Sequence, residues 1–311
     1  MANVKEIQKR IKSINDTMKI TKAMYMISSI KLRKAKEKLE ETEPFFYGLQ
    51  EQISRILEEL PSVENLYFEN RAEDLKRTVK RKGYIVITAD KGMAGAYNHN
   101  ILKTAKTLLK DDENYKLYLV GEMGKHYFER ENMVVSEHFS YTAQNPTMYR
   151  AQMIAGKALR RFERDELDEV YLVYTRMVNS IKEEVDVKQL LPLEKHHFVD
   201  KDILSNEERT YEDEVRENEK ETYFWPSVED VIKKVVYNYT TGIVYGALVE
   251  SFACEQNARM MAMQSATDNA KAILHDLSIE YNRIRQAAIT QEITEVISGA
   301  KALKKKKKRT R

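Results

Sequence analysis

The stretch ADKGMAGAYN, residues 89–98, lies between an apolar run (GYIVIT, 83–88) and a helical pattern (NILKTAKTLLK, 100–110), where a phosphate-binding turn would sit. Such a turn needs glycines so that backbone N–H groups can cradle phosphate, and a Lys-Ser/Thr ending to hold the terminal phosphate and its metal. Gly92 and Gly95 meet the first need, but there is neither a Gly-Lys-Ser/Thr ending nor a G-x-G-x-x-G series, so the stretch reads as a tight turn. Of the six histidines, His196 and His197 are adjacent and cannot share a helical face, and no H-E-x-x-H or G-x-S-x-G pattern occurs. Cys254 is the only cysteine, which excludes an internal disulfide and a multi-cysteine metal site and fits a reducing compartment. Met18, Met24, Met26, Met260, Met261 and Met263 fall at helical spacing and read as adaptable core packing. No catalytic constellation, cofactor site or metal site is expected.

The elements that carry these residues are set by proline, glycine and periodicity. The first proline is Pro44 and the first glycine Gly48, and Ile7, Ile11, Ile14, Met18, Thr21, Tyr25, Ser28, Leu32, Ala35 and Leu39 alternate spacings of four and three. After Pro226 no proline occurs, and the same alternation runs from Val228 through Ile232, Val249, Gln256, Met263, Thr267, Ala270 and Leu277 to Ile284 and Ala288. Two long helices share a 3.5-residue repeat, the signature of a left-handed coiled coil. Between them GYIVITAD and YKLYLVG read as strands, NILKTAKTLLK and GKHYFER as helices, and DEVYLVYTRM with EEVDVKQLLPL as a strand pair. The expected fold is mixed α+β and α/β: an antiparallel coiled-coil shaft (1–58 and 226–303) with a Rossmann-like domain (80–200) inserted, an acidic connector (201–225) and a basic tail (304–311).

Charge is sorted along the chain. The net charge of +3 includes seven positive charges from Lys304 to Arg311; residues 1–40 carry eleven Lys or Arg against four acids, and Glu207–Glu221 carries eight acids against three bases. Partners of different sign at different places are implied. No apolar run is long enough to span a bilayer, and the start enters charged helical pattern without an apolar leader, which suggests a bacterial cytoplasmic protein. At about 1.5 Å per residue, roughly seventy-five residues of C-terminal helix outreach roughly fifty-five of N-terminal helix, so one must overhang. The overhang is apolar or small on most sides (Ile289, Ile293, Val296, Ile297, Ala300, Leu303), which suits a narrow collar built from several subunits.

Three segments, RIKSINDTMKITKAMYMISSIKLRKAK (10–36), TADKGMAGAYN (88–98) and the run from Glu255 to Leu303 containing ITQEITEVISGA, resemble the gamma subunits of F-type ATP synthases. The similarity is dense at both ends and sparse in the middle. It implies a non-catalytic central rotor coupling ion-driven rotation to ATP synthesis or hydrolysis, with no cofactor. The implied partners are three alpha and three beta subunits around one copy, an epsilon subunit and a membrane rotor ring. The implied place is peripheral, on the cytoplasmic face of the bacterial cell membrane, without insertion. By this resemblance Arg285 and Gln286 engage a beta-subunit loop, Thr290, Glu292 and Glu295 lie nearby, and Met24 faces an acidic beta segment. Ala94 stands where the family often carries a cysteine.

Two other classes stay open on the residues alone. A basic coiled-coil nucleic-acid-binding protein would use the lysine clusters, since they bind phosphate whatever the fold. A small-molecule enzyme would use a pocket in the insert. The turn chemistry separates the last from a rotor: the purified chain is expected to hydrolyse no ATP and to bind it only weakly, as checked by equilibrium dialysis. Saturable micromolar binding that is lost on substituting Lys91 would overturn this expectation.

Overall fold

The computed structural model describes residues 4–60, 65–68, 77, 79–112, 114–140, 143–179, 182–195, 198 and 224–309, without the side chains of 43 and 302–309. The acidic run Glu207–Glu221 and the pair His196–His197 lie outside the described residues. In chain order the elements are α1 (Val4–Glu59), β1 (Lys82–Ile87), α2 (Tyr97–Lys110), β2 (Tyr115–Val120), α3 (Glu122–Arg130), β3 (Glu137–Phe139), α4 (Met148–Glu163), β4 (Glu169–Met177), β5 (Glu183–Leu191) and α5 (Val228–Arg309). The chain divides into two compact units, one of Met1–Ile27 with Met260–Arg311 and one of Ser28–Arg259.

In the larger unit the strands form one sheet in the order β3-β2-β1-β4-β5. β1 to β4 run parallel, and β5 pairs antiparallel with β4. Side chains alternate across a strand, so β1 feeds two cores. Ile85 and Ile87 join a cluster with α4 (Ile154, Leu159, Phe162) and α5 (Ile232, Val236, Val244, Leu248). Tyr84 and Val86 join another with α2 (Ile101, Leu102, Leu109) and Phe128 of α3. Helix α4 starts where the Thr147 side chain accepts from the Arg150 N–H, and it buries Ala151, Ile154, Ala155, Ala158, Leu159 and Phe162, one face of a 3.6-residue repeat. Residues 28–59 and 228–259 of the two long helices belong to this unit, with Ala35, Ile53, Ile56 and Leu57 of α1 in the same cluster as α5.

Helix α5 is fastened to the sheet by polar groups as well as apolar ones. Ser251 Oγ accepts from the Thr175 N–H at 3.2 Å, and Glu250 Oε1 accepts from the Met177 N–H at 3.1 Å. Asn257 Nδ2 donates to Glu183 Oε1 at 3.0 Å. Burial raises the carboxyl pKa of Glu183, Glu250 and Glu255, because the charged form loses water.

Every seam position from Ile7 to Leu39 in α1, and from Val228 to Ala288 in α5, is buried or half-buried. The 3.5-residue repeat therefore marks the buried stripe of both helices, and its polar positions Thr21, Ser28, Gln256 and Thr267 are buried as well.

Two tests follow from this packing. Gly121 turns out of β2 at φ 93, and a Cβ there would stand 2.3 Å from the Thr88 carbonyl oxygen; Gly92 has nothing within 4 Å of its own Cβ position. Gly121→Ala is expected to cost about 3 kcal/mol or more and Gly92→Ala less than about 1 kcal/mol, measured by denaturant unfolding. The second concerns pH. A carboxyl whose folded pKa lies above its ordinary value of 4.5 binds more protons folded than unfolded, so its contribution is full below that value and is lost as pH rises through the folded pKa. Glu183→Gln keeps an acceptor for Asn257 and removes that loss. Its melting temperature should exceed the parent's at neutral pH and fall less between about pH 5 and pH 8.

Candidate functional site

In open α/β sheets ligands bind beyond the carboxyl ends of the strands where the strand order reverses. Here that place lies between β1 and β4, bounded by the turn after β1 and by Thr175–Met177. Helix α5 fills it. Ala89, Ala94, Tyr97 and Cys254 form a small buried cluster against which Met177 and Ala258 pack. Cys254 Sγ donates to the Thr175 carbonyl at 3.5 Å, and burial pushes its thiol pKa well up. Three backbone N–H groups flanking the turn are engaged within the fold: Thr88 N–H donates to the Val120 carbonyl at 2.8 Å, Ala89 N–H to Asn98 Oδ1 at 3.0 Å and Tyr97 N–H to the Ala94 carbonyl at 3.1 Å. Two carbonyls of the turn, Lys91 and Gly92, point instead at the Arg259 guanidinium, at 3.3 and 3.1 Å. Carbonyls facing a buried cation make a clasp for a helix, not a cradle for phosphate. Among the described residues no group of acidic, His or Cys side chains could hold a metal ion, and no helix is long and apolar enough to cross a membrane.

The smaller unit carries the residues singled out by type and spacing. Its helices run antiparallel: the Thr21 and Thr267 hydroxyls lie 2.8 Å apart, and Gln8 Nε2 donates to the Tyr281 hydroxyl at 2.8 Å. Among the described residues α1 begins at Val4, which this register sets opposite about residue 284, so from about Arg285 α5 runs on beyond the described part of α1. From Ile289 to Lys301 every residue is exposed. That includes Ile289 at 48%, Ile293 at 54%, Val296 at 71% and Ile297 at 50%, which at 3.6 residues per turn lie within an arc of about 100°.

Arg285 and Gln286 are both exposed, and the Arg285 guanidinium lies 6.0 Å from the Tyr281 ring centre. Thr290 donates to the Gln286 carbonyl at 2.9 Å, so its hydroxyl is bound within the helix. Glu295 accepts from Gln291 at 3.0 Å, and Glu292 is exposed. These five share the end of α5 from Arg285 onward. Met24 does not join them: it is half-buried on α1, and the antiparallel register puts it opposite about residue 264, roughly 30 Å along the axis from Arg285.

Sequence reasoning missed the clasp. Glu255, Asn257 and Arg259 look like ordinary polar positions of an exposed helix, yet all three are buried. The available signal was the Glu255–Arg259 pair four residues apart, flanked by Ala253 and Cys254 before it and by Met260 and Met261 after it, the spacing at which opposite charges meet on a helix.

Known proteins share both the sequence and the fold. The family model described as ATP synthase matches residues 3–303. The ATP synthase gamma chain of Acetivibrio thermocellus is 42% identical over 304 residues, covering 98% of this chain and 100% of the relative. The ATP synthase gamma chain, sodium ion specific, of Acetobacterium woodii is 37% identical over 304 residues, covering 97% of this chain and 99% of the relative. Among solved structures, a chain of the central stalk and c-ring of the Tetrahymena thermophila mitochondrial ATP synthase matches with a TM-score of 0.58 and 27% identity, over 79% of this chain and 99% of that one. A family match over nearly the whole length, joined to full-length identity with named relatives, settles the assignment: the chain belongs to the ATP synthase gamma-chain family.

Proposed function

We propose that this chain, as the central-stalk subunit of a rotary F-type ATP synthase, does no chemistry itself and works as a shaft whose free helical end is read by the catalytic subunits around it. The observation that carries the reading is the run Ile289–Lys301, exposed on every side and apolar along one arc. A helix in that condition is matched by a surround that differs from side to side. Three chemically identical beta sites become unequal when an asymmetric shaft biases each toward a different conformation, and rotation exchanges the biases. Coupling between sites is reciprocal, so nucleotide turnover also turns the shaft.

In this reading Arg285 and Gln286 engage a beta-subunit loop, with Thr290, Glu292 and Glu295 beside them. Met24 and the basic face of the first helix meet an acidic beta segment farther along. The two helices supercoil left-handedly over 1–58 and 226–303, as their 3.5-residue repeat directs. The insert (80–200) and the acidic connector (201–225) serve the foot, where an epsilon subunit and the rotor ring attach at the cytoplasmic face of the membrane. The charges of 304–311 lie past the collar in water, since each unpaired ion taken into a dry sleeve costs several kcal/mol. The filled strand-end crevice supports a non-catalytic role. The nucleic-acid reading finds no support among the similar proteins.

Replacing Arg285 and Gln286 together by Ala leaves the fold intact, because both are exposed. Turnover of the assembled complex should fall by about 2- to 30-fold, the range expected for a coupling contact. Unchanged ATP hydrolysis together with unchanged ATP-driven ion pumping would remove these two residues from the contact.

A further inference from the structure

From Ile289 onward the surface of α5 divides lengthwise. At about 100° per residue, Ile289, Ile293, Val296, Ile297 and Ala300 fall within one arc of about 100°. Gln291, Glu295 and Ser298 lie roughly 150–170° from its centre, and Glu292 and Lys301 stand about 90° away, one at each margin. The polar side satisfies itself: Thr290 and Thr294 donate to the Gln286 and Thr290 carbonyls at 2.9 and 2.7 Å, and Gln291 donates to Glu295 at 3.0 Å. The apolar arc is covered by nothing among the described residues, its four large side chains being 48–71% exposed. Charge follows in sequence. Eight Lys or Arg against two acids stand between Ile289 and Arg311, with seven of the cations in the last eight residues. Helix α5 runs unbroken as far as Arg309.

A helix apolar along one arc, polar elsewhere and continued by a block of cations has the chemistry of one that lies flat in the headgroup region of an anionic bilayer. The arc sinks to the acyl boundary while the lysines meet lipid phosphates. Nucleic acid would take the cations and leave the arc in water, and a second copy would cover the arc and leave the cations without counter-charge. An anionic lipid surface meets both needs together. We propose that the end of α5, Ile289–Lys301 with the cations that follow, docks on an anionic lipid bilayer while the chain is unassembled. It lies on the surface, since no described helix is long and apolar enough to cross a membrane. In that pose Glu295 faces water and Lys301 sits at the margin, within reach of the headgroups. The Glu292 carboxylate at the other margin opposes binding, and the surplus of cations outweighs it. The proposal concerns the chain alone and does not depend on the rotor reading.

The purified full-length chain is tested by flotation with vesicles of equimolar phosphatidylcholine and phosphatidylglycerol, and with vesicles of phosphatidylcholine alone. Two variants separate the contributions. Ile293→Ser with Ile297→Ser removes two of the four large side chains of the arc, and Lys305→Ser with Lys306→Ser and Lys307→Ser removes three cations. Both should melt with the parent, because the isoleucines are exposed and the lysines stand at the end of the chain. The parent should bind the anionic vesicles at least about tenfold tighter than the neutral ones, and each variant should bind them at least about tenfold more weakly than the parent. The same chains are measured against a single-stranded oligonucleotide and in the analytical ultracentrifuge. Equal affinity for neutral and anionic vesicles, or anionic binding that the isoleucine variant leaves unchanged, overturns the proposal. An oligonucleotide bound tighter than the anionic vesicles would give the cations to nucleic acid, and a dimer that the isoleucine variant dissolves would give the arc to a second copy. Either of these overturns it as well.

Discussion

The larger unit depends on how α5 sits across the carboxyl ends of β1 and β4. Ser251, Glu250, Cys254 and Arg259 each take a backbone group that the end of a strand or the turn beyond it would otherwise leave without a partner. A hydrogen bond of this kind contributes only about 1 kcal/mol net, but a buried group left without one costs about 1–3 kcal/mol. The contacts therefore select more than they strengthen. A helix rotated by one residue, or about 100°, would put apolar side chains against strand-end N–H groups and strand Glu255 among alkyl groups.

The same seat occupies the place where a sheet of this topology elsewhere holds a nucleotide. The strand order β3-β2-β1-β4 is the one that elsewhere opens a crevice for a dinucleotide. Here Ala94, Tyr97 and Cys254 close it with side chains. Fold and function separate at that point: the sheet remains a rigid platform, and its usual ligand position becomes an attachment point for a helix.

What could be read in advance follows the strength of each signal. The long helices were legible because a 3.5-residue repeat sustained over many heptads survives polar entries such as Thr21 and Thr267. The strand pair β4 and β5 was legible from two nine-residue runs of strand-forming residues. Helix α4 was missed although Ala151, Ile154, Ala155, Ala158, Leu159 and Phe162 keep helical spacing behind a Thr147 cap, because its small alanines weaken the apolar contrast. β3 is three residues long and too short to show alternation. The candidate contact residues came from resemblance, since an exposed Arg285 or Gln286 has no periodic signature. The inward-turned Arg259 was hidden because burial of a charged residue depends on partners distant in sequence, here Lys91 and Gly92.

The exposed end of α5 has a consequence for the chain before it meets any partner. Ile289, Ile293, Val296 and Ile297 form a sticky strip on a single helix, and two free copies laid side by side could zip together along it. The lysines from Lys304 to Lys308, with Arg309 and Arg311, follow directly in sequence. Two parallel copies would bring these like charges together within the screening length of about 8 Å in physiological salt, and an offset copy would match less of the strip. A charged run following such a strip would penalise the homotypic pair and so leave the unassembled chain free for a different partner.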